Sequence, residues 1–257
     1  MISSLLSFLD SSPVNYFAVA TLEERLAAVG FRKLDASAPM PQLKAGDQVY
    51  FTKNDSSLYA FRIGANPMSE TGIRLVCAHC DSPTFRIKPH AEMKGDGDIM
   101  RLNTEVYGGA ILSTWFDRPL SLAGRVMLRT NDPLYPETRL LRIEKPILTI
   151  PNLAIHFNRQ VNDGVALSKQ KDMLPILGII SDQLEKENTL LGIIAQELSV
   201  DPKTVLDFDL YLYDTTPAQR VGLHEEFVQS GRLDDLSMVH AGLEALLANA
   251  GTPKATQ

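Results

Sequence analysis

The run Ile73–His79 (IRLVCAH) constrains this chain more than any other stretch. It is mostly apolar and β-branched, without the alternation of a strand that has one wet face. Such a run predicts a strand buried on both faces, which needs layers of structure on either side, as in an α/β sheet. In open α/β sheets, ligands gather outside the carboxyl ends of the strands. Residues two apart on an extended backbone point the same way, so His79 and Asp81 in Ala78–Pro83 (AHCDSP) can face one cavity. The carboxylate could then orient the imidazole toward a metal. Read alone, a His-x-Asp pair is common, and a satisfied histidine at a strand end is the blander alternative.

The flanking segments supply the rest of an α/β domain and an interruption in it. Ser12 as cap, Pro13 at the first helical position and Gly30 as terminator predict one helix. Val14, Phe17, Ala18, Leu22, Leu26 and Val29 recur at three- and four-residue steps and give it an apolar face. Gln48–Lys53 and Ser57–Ile63, separated by the turn-prone Asn54, Asp55 and Ser56, predict a hairpin. From about Arg86 to Ile150 the texture changes to short alternating segments rich in glycine and proline. Ile99–Val106, Leu120–Arg129 and Leu140–Ile150 read as strands of an antiparallel sheet or small barrel. Ser181–Leu198 reads as a helix, Val205–Tyr213 as a half-buried strand, and Asp235–Ala250 as an amphipathic helix. The pattern predicts a mixed-sheet α/β domain built from residues 1–88 and 215–257, interrupted by a β-rich insert over 89–214.

Composition narrows the function classes. The 257 residues carry 31 acidic and 25 basic side chains, a formal net charge of −6. No basic cluster relieves that balance, which excludes unaided nucleic-acid or anionic-membrane binding. The longest apolar stretches, such as Met173–Ile180, fall far short of the roughly 20 residues of a membrane span. The first ten residues lack a basic segment before their broken apolar run, so no secretory signal is expected. Two cysteines, Cys77 and Cys80, make no disulfide framework, and a cytoplasmic location is the simple expectation.

Other local features carry less. Cys77-x-x-Cys80 could signal redox chemistry or half a zinc site. However, no second cysteine pair exists and Pro83 follows where a helix would open, so two small buried residues are expected. In Ser230–Leu236 (SGRLDDL) an aspartate at a helix start is most often a cap, yet a carboxylate bridging two metals could also sit there. His224–Val228 (HEEFV) has valine where a zinc-binding helix needs its second histidine. The glycines at 95, 97, 108 and 109 form no phosphate loop.

Taken together, the motifs resemble the aspartyl aminopeptidase family of cytosolic metallo-aminopeptidases. The matching stretches begin with Asn54–Phe61 (NDSSLYAF), Ala78–Pro83 and Lys88–Pro89. They continue through Glu105–Gly109 (EVYGG), Thr114–Val126 (TWFDRPLSLAGRV) and Ile150–Arg159 (IPNLAIHFNR). Asp207–Asp214 (DFDLYLYD) and Ser230–Leu236 complete the set, in family order across nearly the whole chain.

The resemblance implies two metal ions, usually zinc, in a zinc-peptidase-like α/β catalytic domain, with the β-rich insert serving dimerisation and larger homo-oligomers. It implies His79 as a ligand of one metal, Asp81 as the residue orienting it, and Asp234 as the carboxylate bridging both metals. His156 of the insert is implied to reach a neighbouring subunit's active site and contact the substrate there. The implied activity is removal of N-terminal residues, acidic ones among them, from peptides by metal-activated water. The family's remaining centre comprises a Glu-Glu pair giving the general base and a ligand, a further aspartate and a C-terminal histidine. Downstream of Asp234 this chain offers only His240 and Glu244, both on the last predicted helix. With two mapped ligands the chain cannot assemble a two-metal site, so it is expected to be the N-terminal part of a longer enzyme and inactive alone. The alternative from another class is a natural short chain serving as a non-catalytic assembly module.

Overall fold

The computed structural model describes residues 1–180 and 188–249. Its elements in chain order are α1 (Ile2–Ser11), α2 (Asn15–Ala28), β1 (Arg32–Lys33), β2 (Gln48–Lys53), β3 (Ser57–Arg62) and α3 (Met68–Thr71). There follow β4 (Thr84–Lys94), β5 (Ile99–Tyr107), β6 (Leu120–Leu128), β7 (Glu137–Arg142) and β8 (Ile176–Ile179). The chain ends with α4 (Thr189–Leu198), β9 (Val205–Asp214), β10 (Gln219–Val221), β11 (Phe227–Gln229) and α5 (Leu233–Leu247). Two compact units result: one from Met1–Ser82 and the chain from Pro217 onward, the other from Pro83–Thr216. Among the described residues no helix is long and apolar enough to cross a membrane.

In the first unit the N-terminal region forms two helices where the sequence predicted one. Pro13 has no N–H and pushes the residue before it out of helical geometry, and Ser12 sits at φ −118°, ψ 59°. Ser12 is therefore the end of α1, not the cap of α2, which starts after extended Val14. Gly30 ends α2 as expected: at φ +88° it adopts a left-handed turn that favours glycine. Its N–H bonds the Ala27 carbonyl while Phe31 N–H bonds that of Leu26, and Leu26 and Phe31 share the core. The hairpin β2–β3 pairs Lys53 with Ser57 across Asn54 and Asp55, both at positive φ, and β1 runs parallel to β2. Phe8, Leu9, Leu22, Leu26, Tyr50, Leu236, Val239 and Leu243 make the unit's core, which buries one face each of α1, α2 and α5.

The run Ile73–His79 departs from the expected buried strand. It joins no strand, and Ile73, Leu75 and Val76 are 66%, 78% and 74% exposed. A strand becomes central only when neighbours accept its backbone hydrogen bonds and layers cover both faces. Among the described residues no strand pairs with this run, and the partner of its His79 N–H is a side chain, the Asp235 carboxylate.

The second unit is an antiparallel sheet of six strands in the order β7-β6-β9-β4-β5-β8. Phe85, Ile87, Leu102, Leu122, Val126, Leu210 and Leu212 share one core with Leu190 and Ile194 of α4. The register of β4 against β5 breaks between Ile87 and Glu92, around Pro89, which has no N–H to give the ladder. The predicted strand Leu140–Ile150 survives only to Arg142. Beyond it Pro146 interrupts pairing, and Ile147 and Leu148 turn their N–H groups back to the Leu120 carbonyl. Strand β9 is central: Leu210 through Tyr213 are buried in succession, while Leu206 is exposed beside Asp207, so the expected half-buried alternation does not hold. Of the helix predicted over Ser181–Leu198, the part before Asn188 lies outside the described residues, as does Ala250 of the last predicted helix.

Candidate metal centre

The first unit brings His79 together with both aspartates that open α5. Asp234 (φ −88°, ψ 111°) and Asp235 (φ −116°, ψ 17°) depart from helical geometry, and a cis peptide joins them. Their carboxylates thus sit on irregular backbone ahead of the regular helix. His79 Nε2 lies 3.3 Å from Asp234 Oδ1 and 3.9 Å from Asp235 Oδ2. Asp235 Oδ2 accepts the His79 backbone N–H at 3.1 Å, and the Ser82 hydroxyl donates to the Asp234 carbonyl at 3.2 Å. Asp235 therefore ties the helix start to the His79 segment instead of capping the helix.

The imidazole's other edge is fixed by Asp81. His79 Nδ1 is 2.9 Å from the Asp81 carbonyl and 3.3 Å from Asp81 Oδ1. A carbonyl only accepts, so Nδ1 carries a proton, and Nε2, facing Asp234, is the nitrogen that takes either a second proton or a metal. Two acceptors 3.3 Å apart repel unless a proton or a metal cation lies between them. Burial is the largest single influence on the imidazole and lowers its pKa. The hydrogen bond to the Asp81 carbonyl and the charges of Asp81, Asp235 and Asp234 together outweigh it and raise the pKa above the ordinary histidine value.

The same geometry suits a shared cation. Bonds of about 2.0–2.1 Å to a tetrahedral zinc put two donors roughly 3.3 Å apart, the separation of His79 Nε2 and Asp234 Oδ1. These two residues fit one edge of a zinc site. Among the described residues, no group of three or more His, Cys, Asp or Glu side chains is placed to hold an ion.

The remaining candidates lie elsewhere. His156 belongs to the second unit, exposed in the turn 155–157. The expected burial of both cysteines holds for neither in full: Cys77 is exposed and Cys80 half-buried, and both are free thiols. Burial, helped by the charges of Asp81 and Asp235, pushes the Cys80 thiol up to about 11, the reverse of a redox-active cysteine. His224–Glu226 form the turn of the β10–β11 hairpin, not a helix. His240 and Glu244 ride α5 and meet Ser4 of α1 instead of the His79 cluster, with Ser4 Oγ 3.0 Å from His240 Nε2 and 2.8 Å from Glu244 Oε1. Sequence reasoning missed Ser82 and the backbone role of Asp235. A serine and a second acid beside the two motifs were the only signals.

An α/β unit interrupted by an antiparallel sheet, with a histidine and an aspartate converging at a helix start, has the organisation of a zinc peptidase. The family profile described as "Aminopeptidase I zinc metalloprotease (M18)" matches residues 8–257, and the chain belongs to that family. It is 49% identical over 254 residues to a probable M18 family aminopeptidase 2 of Clostridium novyi (strain NT), covering 99% of this chain and 58% of the relative. A protein of the same description from Ectopseudomonas mendocina (strain ymp) is 45% identical over 249 residues, covering 96% and 57%. The chain thus spans somewhat over half the length of these curated relatives. Among solved structures, one of a complex of Ape4 and Nbr1 superposes with a TM-score of 0.88 at 35% identity, covering 95% of this chain and 50% of that one. The mApe1 structure from Chaetomium thermophilum gives 0.86 at 28%, covering 98% and 59%.

Proposed function

We propose that this chain supplies the N-terminal part of a zinc-dependent aminopeptidase that removes N-terminal residues, acidic ones among them, from peptides. The observation that carries the reading is the facing pair of acceptors, His79 Nε2 and Asp234 Oδ1, at 3.3 Å. His79 and Asp234 would hold zinc, with Asp234 bridging two ions, and Asp81 would fix the ring through Nδ1. Bound there, zinc supplies a water of lowered pKa and polarises the scissile carbonyl. The chain's own residues hold the imidazole in the tautomer that leaves Nε2 available and present the carboxylate beside it. His156 would contact substrate in a neighbouring subunit, the second unit would mediate a homodimer within a larger homo-oligomer, and the enzyme would work in the cytoplasm. The general base and remaining ligands would come from sequence that the relatives carry beyond the matched part.

The shortage of ligands favours one competing reading, a non-catalytic assembly module. Peptidase assays with and without chelator, on a polypeptide extended to the length of the relatives, separate the two. Metal-dependent release of N-terminal residues is expected. An extended, folded and zinc-loaded protein without such activity overturns the proposal.

A further inference from the structure

We infer that Arg232 is a positioning residue for Asp234, holding the aspartate loop in place through the last turn of helix α1. The inference rests on the reading of Asp234 as a metal ligand. The Asp234 side chain is 90% exposed, so no packing fixes it. Its backbone is extended, so the regular turns of α5 do not fix it either. A carboxylate displayed this way keeps its place only if the backbone on both sides is anchored.

Two anchors follow from the contacts around His79: the Asp235 carboxylate on the His79 N–H and the Ser82 hydroxyl on the Asp234 carbonyl. Both tie the loop to the His79 segment and to nothing else. The third anchor comes from the opposite side. Arg232, two residues ahead of Asp234, is buried, and its Nη2 donates to the Leu9 carbonyl at 3.2 Å. Leu9 is fully buried in the core and lies in the last turn of α1, where the helix dipole favours a cation; its carbonyl, which also accepts the Ser12 N–H at 3.3 Å, has a second lone pair for the guanidinium. The same turn holds a second returning segment, because Asp10 Oδ1 accepts the Ala218 N–H at 2.7 Å. The end of α1 is thus a rigid post gripped by the stretch that carries Asp234. Without the guanidinium the Leu9 carbonyl loses a charged partner inside the unit, and the loop is left with the apolar packing of Leu233 and Leu236 to hold it to the helical core.

Hydrogen–deuterium exchange on the metal-free 257-residue chain and its variants tests the placement directly. Arg232→Met is expected to speed exchange across residues 230–235 by about tenfold or more, with the cores of α2 and β2 still protected. Arg232→Lys should restore most of the protection, and Arg25→Met, which removes the hydrogen bonds from α2 to Ser4 at the other end of α1, should leave 230–235 unchanged. If Arg232→Met does not fold, Arg232→Gln, which shortens the reach and removes the charge, is read in the same way. Unchanged exchange over 230–235 in the folded Arg232 variant, or equal loosening by Arg25→Met, overturns the inference. Zinc titration of the polypeptide extended to the length of the relatives adds the functional consequence: a dissociation constant raised about tenfold to a hundredfold by the Arg232 variant and not by Arg25→Met. His79→Ala, measured alongside, reports on the metal reading itself. Zinc binding indifferent to His79 would sink that reading, while the exchange result would still decide whether Arg232 places the loop.

Discussion

The Asp235 carboxylate accepts the backbone N–H of His79 at 3.1 Å, so a residue beside one proposed ligand clamps the main chain of the other. Adjacent aspartates divide the work: Asp235 grips backbone and is largely covered, while Asp234 is exposed and turned to the imidazole at 3.3 Å. The clamp explains how an extended, unpaired segment still delivers His79 to a defined place. A hydrogen bond from main chain to carboxylate fixes position without a sheet.

The clamp makes a first prediction. Asp235→Asn keeps an oxygen acceptor for the His79 N–H and should change stability by less than about 1 kcal/mol. Asp235→Ala leaves the N–H without that partner and should cost about 1–3 kcal/mol. Urea denaturation of both variants checks this. Equal losses in the two would show that the charge, not the acceptor, matters.

A second prediction concerns acid. His240 is 3% exposed, between Ser4 and Phe8 of α1, Arg25 of α2 and Glu244 of α5. Burial chiefly, with the charges of Arg25 and the N-terminus, outweighs the Glu244 carboxylate and lowers its pKa in the folded state. The unfolded chain, near 6.5, then takes up the proton first, so the contribution is complete above about 6.5 and fades as pH falls through the lower folded value. Denaturation midpoints should therefore drop on acidification below about pH 6.5. His240→Gln, which cannot titrate, should lack that component. A pH dependence identical in the two proteins would rule His240 out.

Much of this architecture was legible in the sequence because it is local. The hairpin across Asn54–Ser56, the glycine stop at Gly30 and strands β5 and β6 follow from turn chemistry and alternation over a few residues. What failed depends on partners that a local pattern does not contain. Ile73–His79 has a buried strand's composition, but composition does not supply a neighbouring strand. Helix α1 was missed because serines interrupt its apolar face at Ser3, Ser4 and Ser7. Of the site, His79 and the aspartates of Ser230–Leu236 stood out as local motifs, the resemblance alone supplied their ligand roles, and the structure places His79 beside Asp234. Arg232 gave no signal, since a buried arginine is recognisable only once the carbonyl it meets is known.

Thiol chemistry makes a third prediction. With its pKa pushed to about 11, Cys80 should hold about a hundredfold less thiolate at pH 8 than a thiol at the ordinary 9.0. Iodoacetamide labelling followed by mass spectrometry should modify exposed Cys77 and leave Cys80 almost untouched until the chain is denatured. Equal labelling in the native protein would revive a redox role for the pair.

The proposed role of His156 separates catalysis from folding. The side chain is exposed in the turn 155–157 of the second unit and belongs to neither core. His156→Ala should therefore leave the melting temperature and zinc content near those of the parent. In the extended, assembled enzyme, where the proposal has His156 donate across the subunit boundary to the oxyanion developing on the substrate, it should lower turnover by about 10²–10³, the usual cost of removing one such donor. Turnover within a factor of two of the parent would remove His156 from the site.

The second unit depends on one close approach. Gly124 of β6 pairs with Leu210 of β9, and a Cβ added there would stand 2.0 Å from the Asp209 carbonyl oxygen and 2.9 Å from the Leu210 Cα. Both obstacles are backbone of a central strand, so no side chain can rotate away to make room. Gly124→Ala must push β6 from β9 in the middle of the sheet, where Leu122 and Val126 on one strand and Leu210 and Leu212 on the other share the core. Overpacking of this kind costs about 1–3 kcal/mol when side chains can relax, and rigid backbone on the far side puts this case at or above the upper end. Ala123→Gly, one residue away and fully buried, supplies the control: it opens space instead of filling it and should cost less. Chemical denaturation of the two variants checks the order. A Gly124→Ala protein as stable as the parent would mean that β6 and β9 do not approach as closely as this register requires.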